Sequence, residues 1–241
     1  MTNPHHTTPR LFLIPSDLGG ESAGAVWPAG NLERIGHLRT FIVENIRSAR
    51  RFLRMAGFIV PFEEVTFLVL NKHTRPTDIP GYLDAASMHA DIGLLSEAGS
   101  PCVADPGQAI VRLAHTKGIR VVPLVGASSI LLGLMASGFN GQQFAFHGYL
   151  PIPKNLRQKK IRDIEQTAYQ HDQTQIFMEA PFRNNQLTAD LILCCRDETL
   201  LCIASDLSLP SEFIATKPIR EWKKKMPDLH KRASIFLIYH D

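Results

Sequence analysis

The stretch from Ser96 to Gly107 reads SEAGSPCVADPG, a run of small side chains that follows the short apolar segment Ile92 to Leu95. Small residues let a backbone approach a ligand closely, and Gly99 and Gly107 open dihedrals that other residues avoid. The run leads into a stretch with helix signals, Pro106 to Lys117. Asp105 can cap it, Pro106 suits the first turn, Gln108 sits where a capping box places an amide, and Gly118 stops it. The free N–H groups of such a helix start favour an anionic group, for example an amino-acid carboxylate. Glu97 and Asp105 put negative charge beside the loop, which suits a cationic ligand such as a sulfonium. The same residues also make an ordinary Gly/Pro turn, with Asp105 wholly occupied in capping. A second small-residue turn, PLVGASS from Pro123 to Ser129, offers the hydroxyls of Ser128 and Ser129 to a ligand or to the following helix as caps.

Arg47, Arg50, Arg51 and Arg54 fall at i, i+3, i+4 and i+7, so a helix places them on one face while Ala49, Phe52, Leu53 and Ala56 turn inward. Such a stripe can grip phosphates, or it can be a solvated face. Two more basic groups occur, Lys154, Arg157, Lys159, Lys160 and Arg162, and then Lys223 to Lys225. No Gly-x-Gly-x-x-Gly follows the first apolar run and no phosphate loop ends in Gly-Lys-Ser/Thr, which argues against a nicotinamide dehydrogenase or an NTPase. Cys102, Cys194, Cys195 and Cys202 form no Cys-x-x-Cys pair, and no His completes a zinc-ligand spacing. The expectation is four buried, reduced thiols and no metal.

These residues must be positioned by elements that the apolar pattern makes legible. Of 241 residues, 44% are hydrophobic and 20% charged, with a net charge of +3. That is an ordinary globular balance, and the length suits two α/β units. Strands are expected at Leu11–Ile14, Thr40–Glu44, Val65–Leu70, Ile92–Leu95 and Arg120–Val125, the third buried on both faces. Helices are expected at Arg47–Met55, Gly81–His89 and Pro106–Lys117. This is the alternation of a mostly parallel sheet. Beyond a boundary near Pro123 to Gly126, dividing 9–124 from 125–241, the pattern changes. A small-residue helix, Ser128–Ser137, precedes strands at Phe144–His147, Thr174–Met178, Leu200–Ala204, Glu212–Thr216 and Ser234–Tyr239. Helices fall at Asn155–Tyr169, Asn185–Cys195 and Ile219–Lys225, and the sheet is expected to be mixed. Met1 to Pro9 has no signal-peptide core and reads as a frayed tail with His5 and His6 solvated. No apolar run approaches the ~20 residues of a membrane span. The reading is a cytoplasmic protein.

The two loops also carry a resemblance. SEAGSPCVADPG followed by VVPLVGASS is similar to the tetrapyrrole-methylase fold family, the class III S-adenosylmethionine (SAM) methyltransferases. Within it, the chain most resembles the branch that methylates a cytidine ribose 2′-hydroxyl in small-subunit ribosomal RNA. Ser96 to Pro101 match that group's Ser-Asp-Ala-Gly-Thr-Pro, and Ala104 to Gly107 match its Ser-Asp-Pro-Gly. Val125 to Ser129 match Pro-Gly-Pro-Ser-Ala more loosely. Further along, GYLP (Gly148 to Pro151), MEAPFR (Met178 to Arg183) and ASDLS (Ala204 to Ser208) resemble Gly-Phe-Leu-Pro, Tyr-Glu-Ala-Pro-His-Arg and Ala-Arg-Glu-Leu-Thr.

The resemblance implies a two-domain α/β fold, a homodimer, and SAM held between the domains. By that analogy SAM touches Pro15, the loop residues Ser96, Ala98, Gly99, Ser100, Val103, Ala104 and Asp105, the hydroxyls of Ser128 and Ser129, the segment Met178, Glu179 and Ala180, and backbone near Ala204 and Ser234. It implies RNA as the substrate, for whose phosphates the helical stripe Arg47, Arg50, Arg51 and Arg54 is the candidate. A ribose hydroxyl is a poor nucleophile, so an acceptor for its proton helps. Glu44 and Glu97 are the candidates, with Glu179 beside the cofactor and His73 as a further option. The chain departs from the family's second-strand motif: Asn45, Ile46 and Ser48 replace Asp, Thr and His. NKHTRP (Asn71 to Pro76) lacks its His-Asn-Glu element, Leu209 replaces a Lys, and PSDLGGESAG (Pro15 to Gly24) replaces Thr-Pro-Ile-Gly-Asn. These departures leave two other readings open, a methyltransferase for a small molecule such as a tetrapyrrole and a SAM-binding protein without catalysis.

Overall fold

The structure is a computed structural model and describes residues 9–20, 27–84 and 90–240. The N-terminal tail through residue 8, residues 21–24 of the first loop and residues 85–89 of the expected second helix lie outside the described residues. The chain divides into two units, Met1–Ala127 and Ser128–Asp241.

In the first unit, β1 (Arg10–Ile14), β2 (Thr40–Val43), β3 (Thr66–Val69), β4 (Ile92–Leu95) and β5 (Arg120–Pro123) form one parallel sheet in the order β3-β2-β4-β1-β5. Successive side chains of a strand point to opposite faces, and the core obeys this. Phe12, Ile14, Phe41 and Val43 enter one apolar cluster with Phe52, Leu53 and Phe58. Leu11, Ile42, Ile92 and Leu94 enter another with Ile110 and Ala114. The helices are α1 (Gly30–Ile35), α2 (Ile46–Met55) and α3 (Gln108–Thr116). Asn45 caps α2 by accepting from the Arg47 and Ser48 N–H groups, and Gly118, at φ +67°, ends the turn after α3.

In the second unit, β6 (Phe144–Tyr149), β7 (Thr174–Met178), β8 (Leu200–Ser205), β9 (Phe213–Pro218) and β10 (Ser234–Tyr239) lie in the order β6-β7-β10-β8-β9. Only β6 and β7 run parallel; the other pairs are antiparallel, so the sheet is mixed as expected. Here α4 (Ser129–Ser137), α5 (Lys154–His171), α6 (Asn184–Cys194) and the short α7 (Ile219–Trp222) accompany it. Ser128 caps α4 by accepting from the Leu131 N–H.

Several expectations are corrected. The third strand is not buried on both faces: β3 is an edge strand, with Thr66 and Val69 exposed. Asp105 does not cap α3. Its carboxylate takes the Cys102 and Gly107 N–H groups inside the loop, and the helix starts after Gly107 with no side-chain cap. The expected helix from Gly81 begins as a 3-10 turn, Ile79–Leu83. The expected basic helix Ile219–Lys225 stops at Trp222. Helix α1, with no strong apolar period, was not foreseen. Cys195 and Cys202 are buried, but Cys102 and Cys194 are only half-buried; all four are free.

Arg157 does not belong to a basic surface either. It is buried, with Nε and one terminal nitrogen 2.8 and 2.6 Å from Asp190 Oδ2, and the other terminal nitrogen donates to the Ile152 carbonyl at 2.6 Å. Gln158 donates to the remaining Asp190 oxygen, so both charges are fully bonded where α5 meets α6. Removing one partner strands the other charge in a dry interior, at a cost of about 3–5 kcal/mol. Asp190→Ala is therefore expected to move the urea midpoint of this unit sharply down, whereas Asp163→Ala, on the exposed face of α5, should leave it unchanged; equal midpoints for the two variants would contradict the assignment.

Candidate functional site

In an open parallel sheet, ligands bind beyond the carboxyl ends of strands, where the strand order reverses. In the first unit the chain leaves β1 toward β2 on one side and leaves β4 toward β5 on the other, and β1 and β4 are neighbours. Their two loops are laced together. The Ser16 N–H donates to the Gly99 carbonyl at 3.0 Å and the Gly99 N–H to the Asp17 carbonyl at 3.2 Å. Ser96 Oγ donates to the Gly99 carbonyl, and Ser100 Oγ donates to the Ala127 carbonyl at 3.1 Å, which ties in the turn after β5. That turn lies against Pro15 so closely that a Cβ on Gly126 would sit 2.5 Å from Pro15 Cβ. Asn31, buried in the unforeseen α1, donates to the Val125 carbonyl at 2.7 Å and braces the same turn. The turns Ser96–Gly107 and Pro123–Ala127 thus stand side by side.

Positive φ at Gly99, Cys102 and Ala104 (67°, 68° and 61°) folds the β4 loop back on itself. The Asp105 carboxylate holds that shape from inside, while Ala98, Val103 and Ala104 are left exposed on its rim. Pro15, Ser96, Ala98, Gly99, Ser100, Val103, Ala104 and Asp105, all expected at a cofactor, are therefore brought to one end of one sheet. Ser96 faces a carbonyl of its own loop, and Ser100 faces the Ala127 carbonyl of the neighbouring turn.

The two candidate acids meet at the same end. Glu44 follows β2 and Glu97 follows β4, and the Glu97 backbone donates to the Glu44 carboxyl. Burial pushes the Glu44 carboxyl above its ordinary value, and the negative charges of Asp105 and Glu97 push it further. Burial also raises Asp105, against the backbone N–H groups of Gly107 and Cys102. Glu44 and Asp105 line a small cavity of about 10 Å³ with Leu70, Leu94 and Pro106, about the space of one water. Glu97 is exposed and accepts a hydrogen bond from Ser48 Oγ at 2.5 Å. The sequence reading missed Ser48 as a partner of Glu97; its position three residues after the cap Asn45, facing the sheet end, was the available signal. His73 is exposed on a turn, its N–H bonded to Asn71, and joins neither acid in any described contact.

In the second unit the remaining cofactor candidates also share one sheet end. Ile235 pairs with Met178 on one side and Ala204 on the other, next to the pair Ser234 and Ser205, whose hydroxyls are 2.7 Å apart. Glu179 is buried after β7. Its Oε1 accepts from the Ala180 N–H and from Arg183, while its Oε2 has no hydrogen-bond partner. Ser128 and Ser129 open α4, which packs its Gly133 against Ile235. Asp206, which the sequence reading passed over, accepts from Arg232 Nε at 2.8 Å and from Ser211 at 3.0 Å and fixes the loop after β8.

The arginine stripe forms as expected on α2, with all four residues exposed. Two of them are partly engaged. Arg54 lies 4.0 Å from the Phe62 ring centroid and donates to the Phe58 carbonyl, and Arg50 lies over Phe62 and Phe67. Arg47 and Arg51 have no such contacts. Among the described residues no group of His, Cys, Asp and Glu could hold a metal ion, and no helix is long and apolar enough to cross a membrane.

No protein-family model matches the chain. The Haemophilus influenzae protein named ribosomal RNA small subunit methyltransferase I is 29% identical over 230 residues, covering 92% of this chain and 80% of that protein. Among solved structures, the methyltransferase CobJ superposes with a TM-score of 0.62 at 15% identity, covering 97% of this chain and 95% of the other. The uroporphyrin-III C-methyl transferase of Thermus thermophilus, complexed with S-adenyl homocysteine, superposes with a TM-score of 0.58 at 12% identity, covering 96% and 97%. The laced loops of one α/β unit, the mixed sheet of the other and these likenesses agree: the chain has the two-domain fold of the tetrapyrrole methylases and is a distant relative of the small-subunit ribosomal RNA methyltransferases I.

Proposed function

We propose that this protein is a SAM-dependent methyltransferase that transfers the methyl group to a ribose 2′-hydroxyl of ribosomal RNA. The methyltransferase activity follows from the fold and the relatives together. The ribose acceptor is supported by one observation above the others. Glu44, a half-buried carboxyl raised above its ordinary value, stands beside Glu97 at the rim of the laced loops. That is the type of group a weakly acidic hydroxyl needs nearby.

The residues present fit a methyl donor. The β4 loop offers an exposed rim of small residues, Ala98 and Ala104, where larger side chains would keep a ligand away. In the second unit the buried Glu179 keeps one carboxylate oxygen without a partner. The candidates to hold SAM are Pro15, Ser96, Ala98, Gly99, Ser100, Val103, Ala104 and Asp105 in the first unit and Ser128, Ser129, Met178, Glu179, Ala180, Ala204 and Ser234 in the second. When bound, SAM supplies an electrophilic methyl group on a sulfonium centre. The chain's own part is to orient the acceptor and take its proton. Glu44 accepts the hydroxyl proton at a carboxylate oxygen, and Glu97, pinned by Ser48, keeps negative charge beside it. Fixing two reactants in line contributes up to about 7–11 kcal/mol to such a reaction. Arg47 and Arg51 hold the RNA backbone. The homodimer implied by the resemblance is part of this proposal, read directly by sedimentation.

The departures from the family motif have local structural roles. Asn45 caps α2 as an Asp would, and Ile46 packs against the apolar cluster of the first sheet. They do not by themselves favour a protein without catalysis. The tetrapyrrole reading is supported by the fold alone. The decisive experiment is transfer of tritium from methyl-labelled SAM to unmodified small-subunit ribosomal RNA, supplied both as transcript and as assembled subunit. Label in a 2′-O-methylated nucleotide is expected; no label above a boiled control in either form contradicts the acceptor.

Two variants test the assigned roles. A carboxyl raised on folding adds stability that is full below its unfolded value, near 4.5, and is lost as the pH rises through the folded value. Glu44→Gln removes that loss. It should raise the melting temperature at pH 7, have no effect near pH 4, and lower kcat while SAM affinity holds; a variant less stable at pH 7, or fully active, contradicts the role. Arg47→Glu with Arg51→Glu should weaken RNA binding and flatten its salt dependence by roughly 0.7–0.9 log units per lost phosphate contact; an unchanged slope makes the stripe ordinary surface.

A further inference from the structure

Aromatic rings fill the core of this chain: Phe12, Phe41, Phe177 and Phe236 are each at most 1% exposed. Two rings at one end of the second sheet break that pattern. Tyr149, the last residue of β6, is 58% exposed, and Phe182 is 64% exposed. They are neighbours in the fold. Tyr149 pairs in register with Met178, the last residue of β7, and Phe182 lies in the 3-10 turn Pro181–Arg183 that follows.

A cation is fixed beside the Phe182 ring. The Arg183 guanidinium lies 5.0 Å from the Phe182 ring centroid. Glu179 Oε1 accepts from the Arg183 guanidinium at 2.5 Å and holds it in place, while the Arg183 backbone N–H donates to the Ala180 carbonyl at 2.8 Å and fixes the turn that carries it. The Arg183 Nε has no hydrogen-bond partner. Lys154, exposed and five residues beyond Tyr149, adds a free positive charge where α5 begins.

Two flat faces with an ordered guanidinium suit a planar π-system carrying negative charge. A protein partner would need about 800 Å² of surface per side, far more than two rings present. A nucleobase with its phosphate is matched in size, shape and charge. Aromatic and guanidinium planes hold single-stranded RNA bases in this way, with little dependence on sequence. We propose that Phe182 and Tyr149, with Arg183 beside Phe182, form a stacking site for an unstacked nucleobase of the RNA substrate. The site rests on the RNA reading above and adds to it a contact in the second unit, separate from the arginine stripe of the first.

The test uses a mixed-sequence single-stranded oligoribonucleotide with 2-aminopurine at alternate positions, whose fluorescence falls when the base stacks on an aromatic ring. The full-length protein should bind it and quench it. Phe182→Ala and Tyr149→Ala should each weaken binding about 5- to 150-fold and lose most of the quench, Phe182→Trp should restore both, and SAM affinity measured by calorimetry should match the wild type throughout. If both alanine variants bind and quench as the wild type does, the stacking site is wrong while RNA binding stands. If Phe182→Ala loses SAM affinity in parallel, the ring serves the cofactor and the proposal is overturned. If the wild type binds neither this RNA nor ribosomal subunits, the RNA reading fails and the stacking site with it.

Discussion

The first unit depends on the pairing of two loops across a parallel sheet. Gly99 accepts from the Ser16 N–H and donates its own to the Asp17 carbonyl, and Ser100 reaches the carbonyl of Ala127. This lacing answers a general demand: loops beyond strand ends carry N–H and C=O groups that must find partners. Here they find them in each other and leave the rim of the β4 loop small and open. Gly126 is the point where no side chain can be added, because Pro15 already occupies the space. The site is therefore set by backbone approach more than by any single reactive side chain.

Charge is arranged around that frame in a way that opposes stability. Burial raises Glu44 and Asp105, and the neighbouring charges of Asp105 and Glu97 raise Glu44 further. A fold selected for stability alone would not gather three acids at a sheet end. Backbone N–H groups and Ser48 offset part of the repulsion. By contrast, the charge pair of Arg157 and Asp190 in the second unit is fully bonded and buried, and its work is to join two helices.

Much of this is legible in the sequence. The strands Ile92–Leu95, Thr174–Met178 and Ser234–Tyr239 were read to the residue, because short apolar runs with clear turn residues on both sides leave little choice. The Arg stripe was legible because helical spacing is a geometric fact. What stayed hidden depended on distant partners. Asp105 looked like a helix cap, but the loop's own N–H groups of Cys102 and Gly107 claimed it. Arg157 looked like one of several surface cations, since nothing local reveals Asp190 thirty-three residues away. Helix α1 has too few apolar positions to announce itself, although its Asn31 braces the turn after β5. The third strand read as buried because Val, Phe and Leu dominate it, yet its place at the sheet edge was fixed by strand order alone.

The function of this chain turns on whether the laced loops bind a methyl donor. Calorimetric titration of SAM into the wild-type protein and into Gly126→Val measures this most directly, because the added side chain would collide with Pro15 and push the turn after β5 away from the laced loops. Saturable binding to the wild type, greatly weakened in the variant although its far-ultraviolet circular dichroism is unchanged, is the predicted result. No binding to the wild type, or equal affinity in both proteins, would contradict it.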